Sequence, residues 1–333
     1  MNKSVLVTGG GGFLGKAIIK KLLLKPVKVI SFSRQYYSEL EKLGVKQIQG
    51  DLADSNKIIE ASKDCDAIFH VAAKAGIWGS RDQFYNANVL GTQNVVNACK
   101  TNKISRLIYT SSPSVIFNGK DMEGIDEKAP YPDEYEGYYP ETKALAEKIV
   151  LKESMNHFTA IILRPHLIWG PDDNHVVPGI IKRAKSLKKI GRLDDLIDTI
   201  YIDNAADAHI LAAEKLKSDP SLSGNIYFIS QDQPVSKWYL ADQFLLAAGL
   251  EPIKGRISAT SAYIAGIVFE FFYGLFCIKK DPPMTKFAAK ELATSHWFDI
   301  TKAKKELGYV PAVSIEQGLK HLKTWFDTKN AET

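Results

Sequence analysis

The sequence predicts an α/β fold, a doubly wound parallel sheet joined to a smaller, discontinuous C-terminal domain. Three observations carry that expectation. The chain opens on an apolar run, Val5-Leu6-Val7-Thr8, that ends in a glycine cluster and passes at once into helical periodicity. Strand and helix patterns then alternate regularly as far as Pro165. Beyond Pro165 the alternation breaks into shorter pieces.

At the first turn Gly9, Gly12 and Gly15 stand at G-x-x-G-x-x-G spacing. The first permits a tight strand-to-helix turn, the second a close approach by a pyrophosphate, and the third close packing of helix on strand. Free N–H groups at the helix start then hold phosphate oxygens. Ile18, Ile19, Leu22 and Leu23 form the apolar face of that helix, Pro26 stops it, and residues 27–33 read as the second strand. Residues 45–51, 67–73, 106–112 and 159–164 read as strands three to six. Helices are expected at 55–61, 89–100 and 141–156. Further on, 177–189 reads as a helix, 196–201 as a strand and 204–217 as a helix capped by Asp203 and Asn204. Residues 225–229 form another strand, and Ser236 caps a helix that runs to Gly249. Ser314 and Gln317 make a capping box before Leu319, Leu322 and Trp325. Residues 1–170 with 199–230 are thus expected to bind a dinucleotide, and 171–198 with 231–330 to form a substrate domain.

The bulk numbers narrow the function. A chain of 333 residues, 45% hydrophobic and 24% charged, buries a substantial core. Its net charge of +5 suits an anionic cofactor, and without a dense basic stripe no nucleic-acid partner is expected. Cys65, Cys99 and Cys277 are scattered and lack metal spacing, so they read as reduced core thiols. No metal site and no G-x-S-x-G elbow is apparent. The first strand begins within a few residues of Met1, with no signal peptide before it, which points to the cytoplasm. Residues 262–278, AYIAGIVFEFFYGLFCI, precede Lys279 and Lys280 and hold Glu270. This stretch is short for a membrane span. It reads either as a buried helix of the substrate domain or as a lid or monotopic element at the substrate entrance, with peripheral membrane contact.

The chemistry is expected at Tyr139-Pro-Glu-Thr-Lys143, where a spacing of four puts both ends on one helical face. A neighbouring ammonium would lower the phenol's pKa toward the range useful for proton transfer. Pro140 is tolerated in the first turn, and Tyr138, five residues from Lys143, is a decoy. Thr110, Ser111 and Ser112 end the fifth strand, where open α/β sheets place ligands, and a serine there is suited to hydrogen-bond a substrate carbonyl. The second strand ends in Ser33, where an acid would select NAD(H), and Arg34 follows. The missing carboxylate and the added guanidinium predict a preference for NADP(H), with NAD(H) the alternative.

Taken together these motifs resemble the extended short-chain dehydrogenase/reductase family, a Rossmann-fold group, over nearly the whole chain. The glycine turn matches from Thr8 through Gly9, Gly12, Phe13, Leu14 and Gly15. His70-Val71-Ala72-Ala73, Asn88-Val89-Leu90-Gly91-Thr92, Ser111-Ser112-Pro113-Ser114-Val115 and Leu163-Arg164-Pro165 through Gly170-Pro171 match in turn. The resemblance implies that Ser112, with Ser111 as its neighbour, polarises a carbonyl, that Tyr139 is the acid–base, and that Lys143 assists it and holds the ribose. It also implies that Asn88 supports the helix or a relay water. Asp51 and Leu52 would lie beside the adenine, Ala72, Ala73 and Lys74 along the cofactor, and Pro165 near the nicotinamide. Ala72 to Gly79 and the tail from Trp297 to Pro311 are similar to the 3β-hydroxysteroid dehydrogenase branch, whose bacterial relatives include 2-alkyl-3-oxoalkanoate reductases. A small hydrophobic alcohol or ketone as substrate and a homodimer are therefore expected. A nucleotide-sugar epimerase, with Arg183 or Arg192 on a diphosphate, is the alternative; a non-catalytic dinucleotide sensor would not need the full Ser/Tyr/Lys set. His70 is expected to pack within the sheet, and His166 either to face substrate or to be structural.

Overall fold

The computed structural model describes residues 4–154 and 156–332; Met155, inside the helix expected at 141–156, lies outside them. Seven parallel strands form the central sheet: β1 (Ser4–Thr8), β2 (Lys28–Ser33), β3 (Lys46–Gln49), β4 (Cys65–His70), β5 (Arg106–Thr110), β6 (Thr159–Pro165) and β7 (Asn225–Ile229). Their order, β7-β6-β5-β4-β1-β2-β3, reverses at β1 and β4, the switch point at which ligands settle in such sheets. Alternate residues of each strand serve opposite faces. Val5 and Val7 of β1 join Phe69, Ile108 and Ile161 under two helices, α1 (Phe13–Leu22) and Ile202–Ser218. Leu6 turns the other way, with Phe32, Ile68, Leu107 and Ile162, under α2 (Ser55–Ala61), α3 (Gly91–Thr101) and α4 (Tyr138–Ser154).

Around the open side lie smaller elements. The strands Val235–Ser236, Leu196–Ile197, His296–Phe298 and Met122–Ile125 make a four-stranded sheet. Met122–Ile125 thus leaves the stretch expected to belong wholly to the dinucleotide domain and pairs with residues near the chain's end. The strand expected at 196–201 is broken: Leu196–Ile197 joins this sheet while Ile200–Tyr201 pairs with Ile168–Trp169. Asp198 lies between them, buried, with its carboxylate accepting the Phe298 N–H at 2.8 Å. The helix expected at 177–189 ends at Arg183, because Lys188–Ile190 pairs with Gly255–Ile257, a tertiary demand that overrides local propensity. Asp203 and Asn204 do not cap the next helix, which starts at Ile202 after Tyr201. The Asn204 amide instead donates to Gln231 and to the Val313 carbonyl, fastening the C-terminal segment to the sheet.

Two further helices matter below: α5 (Ala259–Leu275) and α6 (Lys286–Leu292), which pack on each other. The buried reading of residues 262–278 fails. Ala262 and Gly266 are covered, whereas Phe271 is 63% and Phe276 66% exposed, and Cys277, expected in the core, is exposed with them. Among the described residues no helix is long and apolar enough to cross a membrane.

Candidate active site

The glycine turn packs as its spacing demands. Gly9 has φ +69° and lies so near Ala72 that a Cβ would meet its Cα at 2.9 Å. A Cβ on Gly15 would sit 2.2 Å from the Gly9 carbonyl oxygen, so only hydrogen lets α1 approach β1 this closely. Gly12 caps α1 with no side-chain hydrogen bond, and the first turn of α1 has no acidic residue. The positive end of the helix dipole therefore stays uncompensated by protein, which fits a pyrophosphate. Tyr37 was not apparent from the sequence, yet its ring fills the place a Cβ on Gly11 would take.

Other expected cofactor residues ring this turn at the carboxyl ends of the strands. The Ser33 hydroxyl accepts the Gly11 N–H at 3.2 Å, and Arg34 beside it is exposed. Asp51 is exposed, and Leu52, which is buried, meets α3 at Gly91. Phe13 is half-buried and packs on the core; Leu14 is buried. Thr8 is fully buried and its hydroxyl is committed within the protein. It bonds His70 Nδ1 at 2.8 Å and accepts the N–H groups of Val71 and Ala72 at 3.2 Å each. Thr8 therefore positions the turn after β4. His70 is held from its other side by Thr92 at 3.0 Å, and burial lowers its pKa to about 3, so it is neutral.

Asn88 sits in a π-helical segment, Tyr85–Leu90, that runs into α3. Its carboxamide accepts the Lys74 N–H at 2.7 Å. It also donates to the Lys74 carbonyl at 3.1 Å and to the Thr142 hydroxyl at 3.0 Å. One side chain so joins the loop Ala72-Ala73-Lys74 to α4, one residue from Lys143.

Ser112 neighbours the phenol of Tyr139, and its hydroxyl acts to lower the phenol's pKa. Ser112 is held by the Ser114 N–H at 3.2 Å and the Ser114 hydroxyl at 3.0 Å, whereas the Ser111 hydroxyl is buried without a partner. Of the two serines, Ser112 is the one brought to Tyr139. Pro140 lies within the first turn of α4, which begins at Tyr138, three residues earlier than expected. The Lys143 ammonium lies in the protein interior, donating to Tyr109 Oη at 2.8 Å and to the Thr110 carbonyl at 2.6 Å. Burial brings its pKa down to about 7, against the opposing pull of Glu147. The shift on Tyr139 has the opposite sign from the one expected. Burial raises its pKa above the usual 10.0, the neighbouring Ser112 hydroxyl offsets part of that, and the charge of Glu291 adds to the rise.

Glu291 is the residue that sequence reading missed. It lies on α6, 152 positions from Tyr139, and no motif marks it. Burial pushes its own carboxyl up to about 7. Lys237 fixes this end of α6 by donating to the carbonyls of Glu291 (3.1 Å), Leu292 (2.9 Å) and Thr294 (2.8 Å). Pro165 is buried at the end of β6. Next to it, His166 is structural: its Nδ1 meets the Asp198 carbonyl at 2.8 Å and its ring packs edge-on to Phe298. Arg192 is engaged by Asp195 at 2.6 Å and Asp121 at 2.8 Å, and Arg183 lies exposed at the end of its helix.

Comparison with known proteins agrees with this arrangement. Residues 6–257 match the 3-beta hydroxysteroid dehydrogenase/isomerase family. The 2-alkyl-3-oxoalkanoate reductase of Shewanella oneidensis is 47% identical over 327 residues, covering 95% of this chain and 84% of that protein. The decarboxylating sterol-4-alpha-carboxylate 3-dehydrogenase of Saccharomyces cerevisiae is 36% identical over 343 residues, covering 97% and 98%. Among solved structures, UDP-glucuronic acid 4-epimerase from Bacillus cereus, in complex with NAD, superposes with a TM-score of 0.76. It is 21% identical and covers 98% of this chain and 99% of its own, a likeness of fold.

Proposed function

Since the chain belongs to the 3-beta hydroxysteroid dehydrogenase/isomerase family, we propose that it reduces the ketone of a hydrophobic 3-oxo acid of the 2-alkyl-3-oxoalkanoate type, using NADPH. Its coarser identity is an oxidoreductase that acts on CH–OH groups and uses a nicotinamide dinucleotide. The observation that carries the proposal is the gathering of Ser112, Tyr139 and the buried Lys143 at the carboxyl edge of β5, where Lys143 donates to the Thr110 carbonyl and Ser112 neighbours the phenol.

The turn Gly9–Gly15 with the start of α1 would hold the pyrophosphate, Asp51 and Leu52 the adenine, and Lys143 the ribose. When bound, the dinucleotide supplies or accepts the hydride. The protein's own part is the proton. A phenol whose pKa stands above 10.0 is protonated at neutral pH, so Tyr139 is loaded as an acid for a ketone oxygen. The Ser112 hydroxyl donates to the same oxygen and fixes the carbonyl's direction. Asn88, by clamping Lys74 to α4, keeps the cofactor loop and the helix of Tyr139 in one register.

Support for the 2-alkyl-3-oxo acid over a sterol comes from the 47% identical relative, against 36% for the sterol enzyme. Support for NADPH comes from Ser33 and the exposed Arg34 at the end of β2, where no carboxylate repels a 2′-phosphate. The test is a screen of the purified protein against 2-alkyl-3-oxo acids, 3-ketosteroids and UDP-sugars, followed by nicotinamide absorbance. Turnover of the oxo acids is expected; turnover confined to UDP-sugars would overturn the reading.

A further inference from the structure

A surface helix normally turns its apolar stripe inward and its charges to water; α5 does the reverse. Its one charged side chain, Glu270, points into the protein, accepting the Lys286 N–H at 2.7 Å and facing the Lys286 ammonium at 3.5 Å. Gly266 lies on the same inner side, where a Cβ would meet the Lys286 nitrogen at 2.7 Å. Outward stand Ile264, Ile267, Val268, Phe271, Phe272 and Leu275, a single stripe at three- and four-residue spacing with no charge within it. Phe276 and Ile278 prolong the stripe, and exposed Lys279 and Lys280 end it.

We propose that this face of α5 docks in the plane of an anionic lipid bilayer. An uncharged aromatic and aliphatic stripe flanked by lysines matches a headgroup boundary, with apolar residues below it and ammonium groups among the phosphates. A second copy of the chain suits the face less well. A symmetric pair sets the same patch against itself, and each Lys279–Lys280 pair would find only Asp281 as a carboxylate in the adjoining segment.

The docked helix would be braced to the active site from two directions. The Ile278 carbonyl accepts Trp78 Nε1 at 3.0 Å, and the Trp78 ring meets Tyr273 edge-on at 6.0 Å. Trp78 belongs to the loop that carries Lys74. On the other side α5 packs on α6, which bears Glu291 and sets Phe287 against Gly137, two residues before Tyr139. Docking would place the site's mouth at the bilayer surface, so that an alkyl-chain substrate enters from the lipid. This delivery role rests on the hydrophobic-ketone reading; the docking does not.

The test uses the full chain and needs no turnover. Wild type is sedimented with vesicles of phosphatidylcholine alone and of phosphatidylcholine with phosphatidylglycerol. Binding to the mixed vesicles is expected, with a loss of about tenfold or more in Phe271→Ser/Leu275→Ser. Lys279→Ala/Lys280→Ala should lose the preference for the anionic vesicles. A polarity-sensitive dye on Cys277, the exposed cysteine, should shift to the blue on binding in the wild type and the lysine variant. This keeps the test open if the serine pair misfolds. Failure of wild type to bind either vesicle would overturn the proposal. So would a serine pair that becomes monomeric while sedimenting unchanged, which would assign the face to a second copy.

Discussion

Lys143 donates to the hydroxyl of Tyr109 across 2.8 Å, a contact between α4 and the middle of the sheet that ties the candidate site to the stability of the fold. The folded pKa of Lys143 is about 7 and its unfolded value 10.5. Between these values the unfolded chain binds more protons, so stability rises as pH increases from about 7 to about 10.5. Lys237, held down to about 8, contributes in the same direction over a narrower window. Lys143→Met should flatten most of the rise while abolishing turnover. Urea denaturation across that window checks it, and an unchanged slope would remove Lys143 as its source.

Tyr139→Phe should lower single-turnover reduction by about 10²–10⁴-fold, the usual worth of a positioned acid. Ser112→Ala should fall in the same range, and Ser111→Ala should stay within a few-fold of wild type, because the buried Ser111 hydroxyl has no hydrogen-bond partner. Dinucleotide binding, followed by fluorescence, should survive in all three. A severe loss in Ser111→Ala alone would exchange the roles of the two serines.

Glu291→Gln addresses the carboxyl whose charge acts on the phenol. Its folded pKa, about 7, exceeds the unfolded 4.5, so the folded state holds the extra proton and stability falls as pH rises from about 4.5 to about 7. The glutamine variant should lose that fall. Removing the negative charge should also lower the Tyr139 pKa, shifting the alkaline limb of kcat/KM to lower pH. A limb that stays in place would mean the two groups do not interact.

Arg34→Ala should reduce the ratio of kcat/KM for NADPH to that for NADH by about tenfold or more, the loss of a charge-assisted phosphate contact. A wild type that prefers NADH would reject the assignment of Arg34 to the phosphate.

Much of this was legible because it is local. The helix at Ser55–Ala61 falls where its pattern sets it. The Ser314 and Gln317 box closes as written: the Ser314 hydroxyl accepts the Gln317 N–H at 3.1 Å, and the Gln317 side chain accepts the Ser314 N–H at 2.9 Å. The Ser, Tyr and Lys of the candidate site stood out in the sequence because each lies in a short motif beside its own strand or helix. What stayed hidden depends on distant partners. Glu291 reaches Tyr139 only through the docking of α6, and the break at Asp198 follows from the Phe298 N–H that it receives. The outward direction of the α5 stripe was equally invisible, since composition records the apolar residues but not that Lys286 draws Glu270 inward.

The strand order has a meaning for the growing chain. From β2 onward, every strand of the central sheet pairs with one already synthesised: β2 on β1, β3 on β2, β4 on β1, then β5, β6 and β7 each on its predecessor. The nucleotide-facing half can therefore assemble as it leaves the ribosome, without waiting for downstream sequence. Met122–Ile125, outside that sheet, has to wait, because its partner, His296–Phe298, emerges some 170 residues later. Until then the segment between β5 and α4, which leads to Tyr139, lacks its outer strand. A nascent chain arrested after β7 should resist protease across the sheet yet be cut between Ser112 and Tyr138. The candidate site is thus among the last parts of the fold to be completed as the chain emerges.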